Sequence, residues 1–202
     1  MRQITRMRGR AEVAQAKTPG LVWHRVVHGY FAELALSRRD LDDYREIHII
    51  ASRGRPMSSR LDYYSASPKA MKAMIAMEAL TSNLSIEPAL LHLIKIRASQ
   101  LNGCAFCTDM HSVDARRLGE TDRRLYSIVV WRDSGFFNPR ERAALAWTEA
   151  VTLLSESHVP DDVFVLAREQ FSEAELVDLT IAVTTINSWN RLAVSFRQTP
   201  GG

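Results

Sequence analysis

Eight consecutive residues hold the densest reactive chemistry of this 202-residue chain: Cys104-Ala105-Phe106-Cys107-Thr108-Asp109-Met110-His111. They include both cysteines of the sequence. On a helix, Cys104 and Cys107 stand at i and i+3, one turn apart on a shared face, and His111 stands at i+4 from Cys107 on that face again. Two thiols at this spacing can close a disulfide with little backbone movement. An imidazole one turn further on can accept a thiol proton and hold a thiolate. Thiol, thiol and base together make a coherent redox site. The residues leave open which sulfur carries the charge. The positive end of the helix dipole favours Cys104, whereas the i+4 histidine favours Cys107. The plain competing reading is that two buried cysteines and a surface histidine share a helix by chance. Gly103, a breaker that sets Cys104 at a helix start, weighs against it.

Other uses of a Cys-x-x-Cys pair fare worse. Covalent haem needs a histidine directly after the second cysteine, and Thr108 stands there. A thioredoxin-like module needs strands around the motif, and none is visible. A structural zinc site needs four ligands; Cys104, Cys107 and His111 supply three, and His92 could be a fourth.

The elements that must position these groups read as helices. Ser67-Pro68 opens a first helix through Ala70, Met71, Met74, Ile75 and Leu80. Glu87-Pro88 opens a second, running to about Asn102-Gly103. A third begins near Cys104 and stops at Gly119, a natural C′ residue. Thr121-Asp122 starts a fourth that continues through Ile128 and Val129 to Trp131. Asn138-Pro139 starts a fifth reaching Leu154, and Pro160-Asp161-Asp162 a sixth ending near Phe171. Ser172 with Glu175 is a capping box for the last, which runs to about Phe196. The β-branched runs Ile128-Val129-Val130 and Val183-Thr184-Thr185-Ile186 lie inside helical patterns. The fold class expected is all-α.

Composition bounds the rest. Apolar residues make up 46% and charged residues 24%, as in a globular chain. No run approaches the ~18–20 apolar residues of a membrane span. With two cysteines and no apolar leader, a reducing cytoplasm is the expected compartment. The net charge of +3 is too small to point to nucleic acid. That charge is uneven: residues 1–56 hold 11 Lys+Arg against 6 Asp+Glu, and residues 57–202 are net acidic. Gly54-Arg55-Pro56 marks the joint. We therefore expect a basic, loosely attached extension over 1–56, of the kind translated from a start upstream of Met57, and a helical domain over 57–202. A nucleic-acid-binding arm and a targeting peptide are weaker readings of the extension. Residues 21–36 can form a short amphipathic helix through Leu21, Val22, Val26, Val27, Phe31 and Leu34.

The segment from His92 to His111, with Asp114-Ala115-Arg116 and Leu118-Gly119-Glu120 after it, resembles the core of the AhpD-like alkylhydroperoxidases of the carboxymuconolactone decarboxylase superfamily. The likeness extends over roughly residues 60–197 and takes in Arg140 to Trp147, His158-Val159-Pro160 and Asn187-Ser188-Trp189-Asn190-Arg191. It implies an all-helical bundle that forms homo-oligomers such as trimers or hexamers, and thiol-dependent reduction of hydroperoxides. It assigns Cys107 as the attacking cysteine, Cys104 as the resolving one and His111 as the proton relay. An external dithiol or disulfide reductant would restore the thiols, with no metal, flavin or nucleotide cofactor. Two positions depart from the family pattern. His92 stands where a proton-relaying glutamate is usual, and Phe106 where many characterised peroxidases have histidine. Two imidazoles close together would depress each other's pKa. The alternative is a helical oligomer that binds a small ligand or partner, its cysteines sensing redox state or idle. The decarboxylase branch is a weaker third reading.

Overall fold

The structure, a computed structural model, describes residues 58–200. The expected helix over 21–36 lies outside them. Among the described residues every regular element is helical, and none is long and apolar enough to cross a membrane.

A short helix α1 (Tyr63–Ala66) precedes α2 (Pro68–Thr81). Sequence periodicity missed α1 because it is one turn long; Asp62 caps it by accepting the Tyr64 N–H at 2.9 Å. Helix α3 (Pro88–Leu101) is the central element, and Leu90, Leu91, Leu93, Ile94, Ile96 and Ala98 are all buried. Apolar positions on every side suit a helix wrapped by others. It packs against α4 (Ala105–Arg117), α6 (Pro139–Thr152) and the long α9 (Glu173–Phe196). Pro88 at the first turn starts it, and Gly103 at φ 66° turns the chain after it. Gly119, at φ 93°, ends α4 as expected.

The fourth expected helix is shorter than its apolar pattern. Helix α5 (Asp122–Ser127) tightens into a 3₁₀ turn over Ile128–Val130. The β-branched run alone is not the cause, since Val183-Thr184-Thr185-Ile186 stays α-helical in α9; here the segment is short and only one side of it is buried. The turn buries Ile128 and Trp131 and leaves Val129 and Val130 exposed. The fifth helix likewise breaks early. Leu153 leaves helical geometry, a one-turn α7 (Leu154–Ser157) follows, and His158 closes it in the left-handed region. Helix α8 (Asp161–Gln170) then leads into α9. The expected capping box of Ser172 with Glu175 forms on α9, and a second, Asn138 with Glu141, caps α6.

Leu93, Ile94, Ile96, Ile128, Leu145, Leu179 and Val183 lie at the centre of the main core. Each such side chain contributes about 1.5–3 kcal/mol on burial. One polar knot crosses this core. Glu149 of α6 accepts from Arg97 Nε of α3 at 2.7 Å and Trp131 Nε1 at 2.8 Å, and also pairs with Arg132. It ties α3 and α6 to the end of the 3₁₀ turn.

Candidate functional site

The loop between α3 and α4 is held from below by amides. Asn102 Nδ2 donates to Ala98 O at 2.9 Å, Asn187 Oδ1 at 2.9 Å and Asn190 Oδ1 at 3.0 Å. Asn190 Nδ2 donates to Ser99 Oγ at 3.0 Å, and Asn187 Nδ2 to Thr152 Oγ1 at 3.0 Å. Asn187 and Asn190 are buried on α9. This network satisfies its members and fixes the chain where the cysteines begin.

Cys104 is the N-cap of α4, and its Sγ accepts the Cys107 N–H at 3.3 Å. Both thiols are free and buried, at 3% and 2% exposure. The Cys104 thiol is held down to about 7. The Cys107 thiol acting as donor is the main cause; burial opposes it, and the Cys107 N–H and Asn190 add to it. Cys107 is pushed well up, because it gives its proton to Cys104, is buried, and faces that sulfur's charge. Cys104 is thus the thiol lowered and Cys107 the thiol raised, the direction the helix-dipole argument gives.

The two sulfurs line different cavities. Cys104 borders one of about 590 Å³ with Ser99, Gly103, Asp109, Arg116 and Tyr126. Cys107 borders one of about 740 Å³, mainly apolar, with Tyr63, Ile75, Phe106, Met110 and Trp189. His92, Lys95, His111 and Asp114 project into this second cavity as its polar groups, beside Glu78.

His92 and His111 come together, their ring centroids 5.5 Å apart. His111 is 5% exposed and its pKa is pushed down to about 3, by burial first and then by Lys95 and His92. It is neutral at pH 7. His92 is also lowered, by burial and Lys95, while Asp114 and Glu78 oppose. Lys95 is 4% exposed and pairs with Glu78 at 2.5 Å; Glu78 in turn accepts from Trp189 Nε1 at 3.1 Å.

All four residues singled out in the sequence thus sit around this centre: Cys104 and Cys107 in contact, His111 and His92 on the Cys107 side. His92 is half-buried with its ring against His111, and His111 is buried, so neither is a surface histidine. Sequence reasoning missed five contributors. Asp114 was legible as i+3 from His111, and Lys95 as i+3 from His92. Asn187 and Asn190 share one stretch of α9 but gave no sign of their partner Asn102. Glu78 lies on α2 and reaches the site only through the tertiary fold.

Residues 68–150 match the carboxymuconolactone decarboxylase family model. The uncharacterised protein YdfG of Bacillus subtilis is 45% identical over 139 residues, spanning 69% of this chain and 95% of its own length. A protein of unknown function from Agrobacterium tumefaciens, named as a candidate AhpD antioxidant-defence protein, is 43% identical in its crystal structure. That structure covers 72% of this chain and 99% of its own, with a TM-score of 0.71. The debrominase Bmp8 shares the fold at 20% identity and a TM-score of 0.61, covering 68% of this chain and 74% of its own.

Proposed function

We propose that this chain, which belongs to the carboxymuconolactone decarboxylase family as an AhpD-like member, reduces hydroperoxides through its Cys104–Cys107 pair. The observation that carries the reading is the pair itself. Two free, buried thiols meet at a helix N-terminus beside a mainly apolar cavity of about 740 Å³, and Cys104 is held down to about 7. A pair that gives up its first proton near the working pH supplies a thiolate, which proton exchange between the two sulfurs presents at Cys107.

Cys107 is the attacking sulfur in this proposal, because it borders the cavity large enough for an organic hydroperoxide. Its proton first crosses the thiol–thiol contact to Cys104. The Cys107 thiolate then attacks the terminal peroxide oxygen. A sulfur–oxygen bond forms, the O–O bond breaks, and its electron pair leaves with the alkoxide. One proton from solution reaches the alkoxide through His92 and His111, whose neutral rings accept at one nitrogen and donate at the other. Cys107 is left as a sulfenic acid. Cys104 condenses with it, releasing water and closing the disulfide. An external dithiol restores both thiols by exchange.

We further propose that the chain self-associates. Ile75, Leu80, Tyr126, Val129, Val130 and Val177 are large apolar side chains on the surface of a single subunit. At least three chains per particle are expected by sedimentation; a monomer at micromolar concentration would remove this part.

Stopped-flow mixing of two variants tests the assignment of roles. Cys104→Ser loses the acceptor of the Cys107 proton, so it should consume one hydroperoxide more slowly than the wild type and stop as a trapped sulfenic acid. Cys107→Ser should react far more slowly, since its remaining thiol faces the other cavity. Equal rates would refute the division of labour, and no reaction in either variant or the wild type would refute the peroxidase reading.

A further inference from the structure

We infer that His92, His111 and Asp114 form a binding site for a divalent first-row transition ion of the zinc class, held by two imidazole nitrogens and one carboxylate oxygen. One ligand atom from each residue lies within 4.8 Å of the other two. An ion with bonds of about 2.0–2.2 Å in tetrahedral geometry sets its ligand atoms about 3.3–3.5 Å apart. The three must therefore draw in by roughly 1 Å, a distance on the scale of side-chain adjustment.

A second observation is independent of that spacing. Nδ1 of His92 and Nδ1 of His111 are both buried and have no hydrogen-bond partner among the described residues. Buried polar atoms in folded proteins are normally paired. The two that break this rule belong to facing rings, one of them 5% exposed, on the wall of one cavity. A cation shared by the rings meets that demand.

The charges around the site allow it. Lys95 is the nearby cation, and its ammonium is matched by Glu78 at 2.5 Å. Asp114 then adds a negative charge of its own. Its Oδ1 accepts from Arg117 at 2.8 Å, but the Arg117 side chain is largely exposed and easily released. Two nitrogens and a carboxylate suit zinc, iron or cobalt better than calcium or magnesium, which prefer all-oxygen sets. The thiols are not in this set. A further coordination position would open on the cavity that Cys107 also lines, so an ion here would engage the rings that relay protons.

Binding of Zn²⁺ and Co²⁺ to the full-length reduced protein tests the site, by calorimetry for Zn²⁺ and by visible absorption for Co²⁺. We expect one ion per chain, and the same stoichiometry in a Cys104→Ser/Cys107→Ser double variant. His92→Ala and Asp114→Asn should each weaken binding by more than about tenfold. His92 is half-buried and Asp114 partly exposed, so both variants should fold; circular dichroism checks this. Three results would overturn the proposal: no binding by the wild type, unchanged binding in both His92→Ala and Asp114→Asn, or loss of binding in the cysteine variant, which would make the thiols the ligands.

Discussion

Replacing Cys107 with alanine isolates the interaction that sets the reactivity of Cys104. The substitution removes the thiol that donates to Cys104, the largest cause of its lowered pKa. The backbone N–H at position 107, 3.3 Å from the Cys104 sulfur, remains. A hydrogen bond to a charged group is worth about 1.5–3 kcal/mol. One pKa unit corresponds to about 1.4 kcal/mol, so the loss is roughly one to two units. Cys104 should therefore climb from about 7 to roughly 8–9 in the variant. At pH 7 its thiolate fraction should fall from about half to below ~10%. Thiolate ultraviolet absorbance, followed from pH 5 to 10, reads both proteins directly. The wild type should lose one proton per chain near 7 and keep the second to much higher pH. Cys107→Ser, which keeps a hydroxyl donor, should fall between the wild type and the alanine variant. An unchanged Cys104 pKa in Cys107→Ala, or a wild type that first titrates at the ordinary 8.5–9, would refute the shared-proton description.

The peroxide rate constant of the wild type should rise with pH through about 7, because deprotonation of the pair creates the nucleophile; a rate flat from pH 5 to 9 would contradict this. His92→Glu restores a carboxylate beside His111, which should raise the His111 pKa by ~1–3 units and speed peroxide reduction at neutral pH severalfold in stopped-flow. Glu149→Ala leaves Arg97 and the Trp131 indole unpaired in the core and should cost about 3–5 kcal/mol in denaturant unfolding. Glu149 itself is lowered from 4.5 in the fold, with burial opposing the Trp131, Arg132 and Arg97 contacts that lower it. The unfolded state thus binds its proton first, so this contribution is intact above pH 4.5 and is lost as pH falls below it, and Glu149→Gln should flatten the acid limb of the stability curve. A chain begun at Met57 should fold with undiminished helical circular dichroism per residue of the domain; insolubility would place the extension in the core.

The helices were legible wherever a start signal and an apolar stripe coincided. Pro88, Pro139 and the Ser172–Glu175 box marked three starts to the residue. Helix ends were less so: the apolar run Leu125 to Trp131 fits an α-helix on paper, but the β-branched residues 128–130 wind more tightly and only one side is buried. The site was legible where its parts share a helix, as Cys104, Cys107 and His111 do. The state of those parts was not. That His111 is neutral follows from burial and from Lys95, and that Cys104 is the lowered thiol follows from its contact with Cys107. Spacing along a helix carries neither depth nor donor direction. The Asn102–Asn187–Asn190 network joins residues 85 and 88 positions apart, beyond the reach of any local pattern.

The central claim, that Cys104 and Cys107 together reduce a hydroperoxide, is tested most directly by one stoichiometric turnover. Fully reduced protein is mixed with one equivalent of an alkyl hydroperoxide without any reductant, quenched, and examined by intact mass and thiol count. The account predicts loss of two hydrogens and both thiols per chain, release of one equivalent of alcohol, and full recovery of both thiols on adding a dithiol. Two thiols still free with the hydroperoxide unconsumed would contradict it.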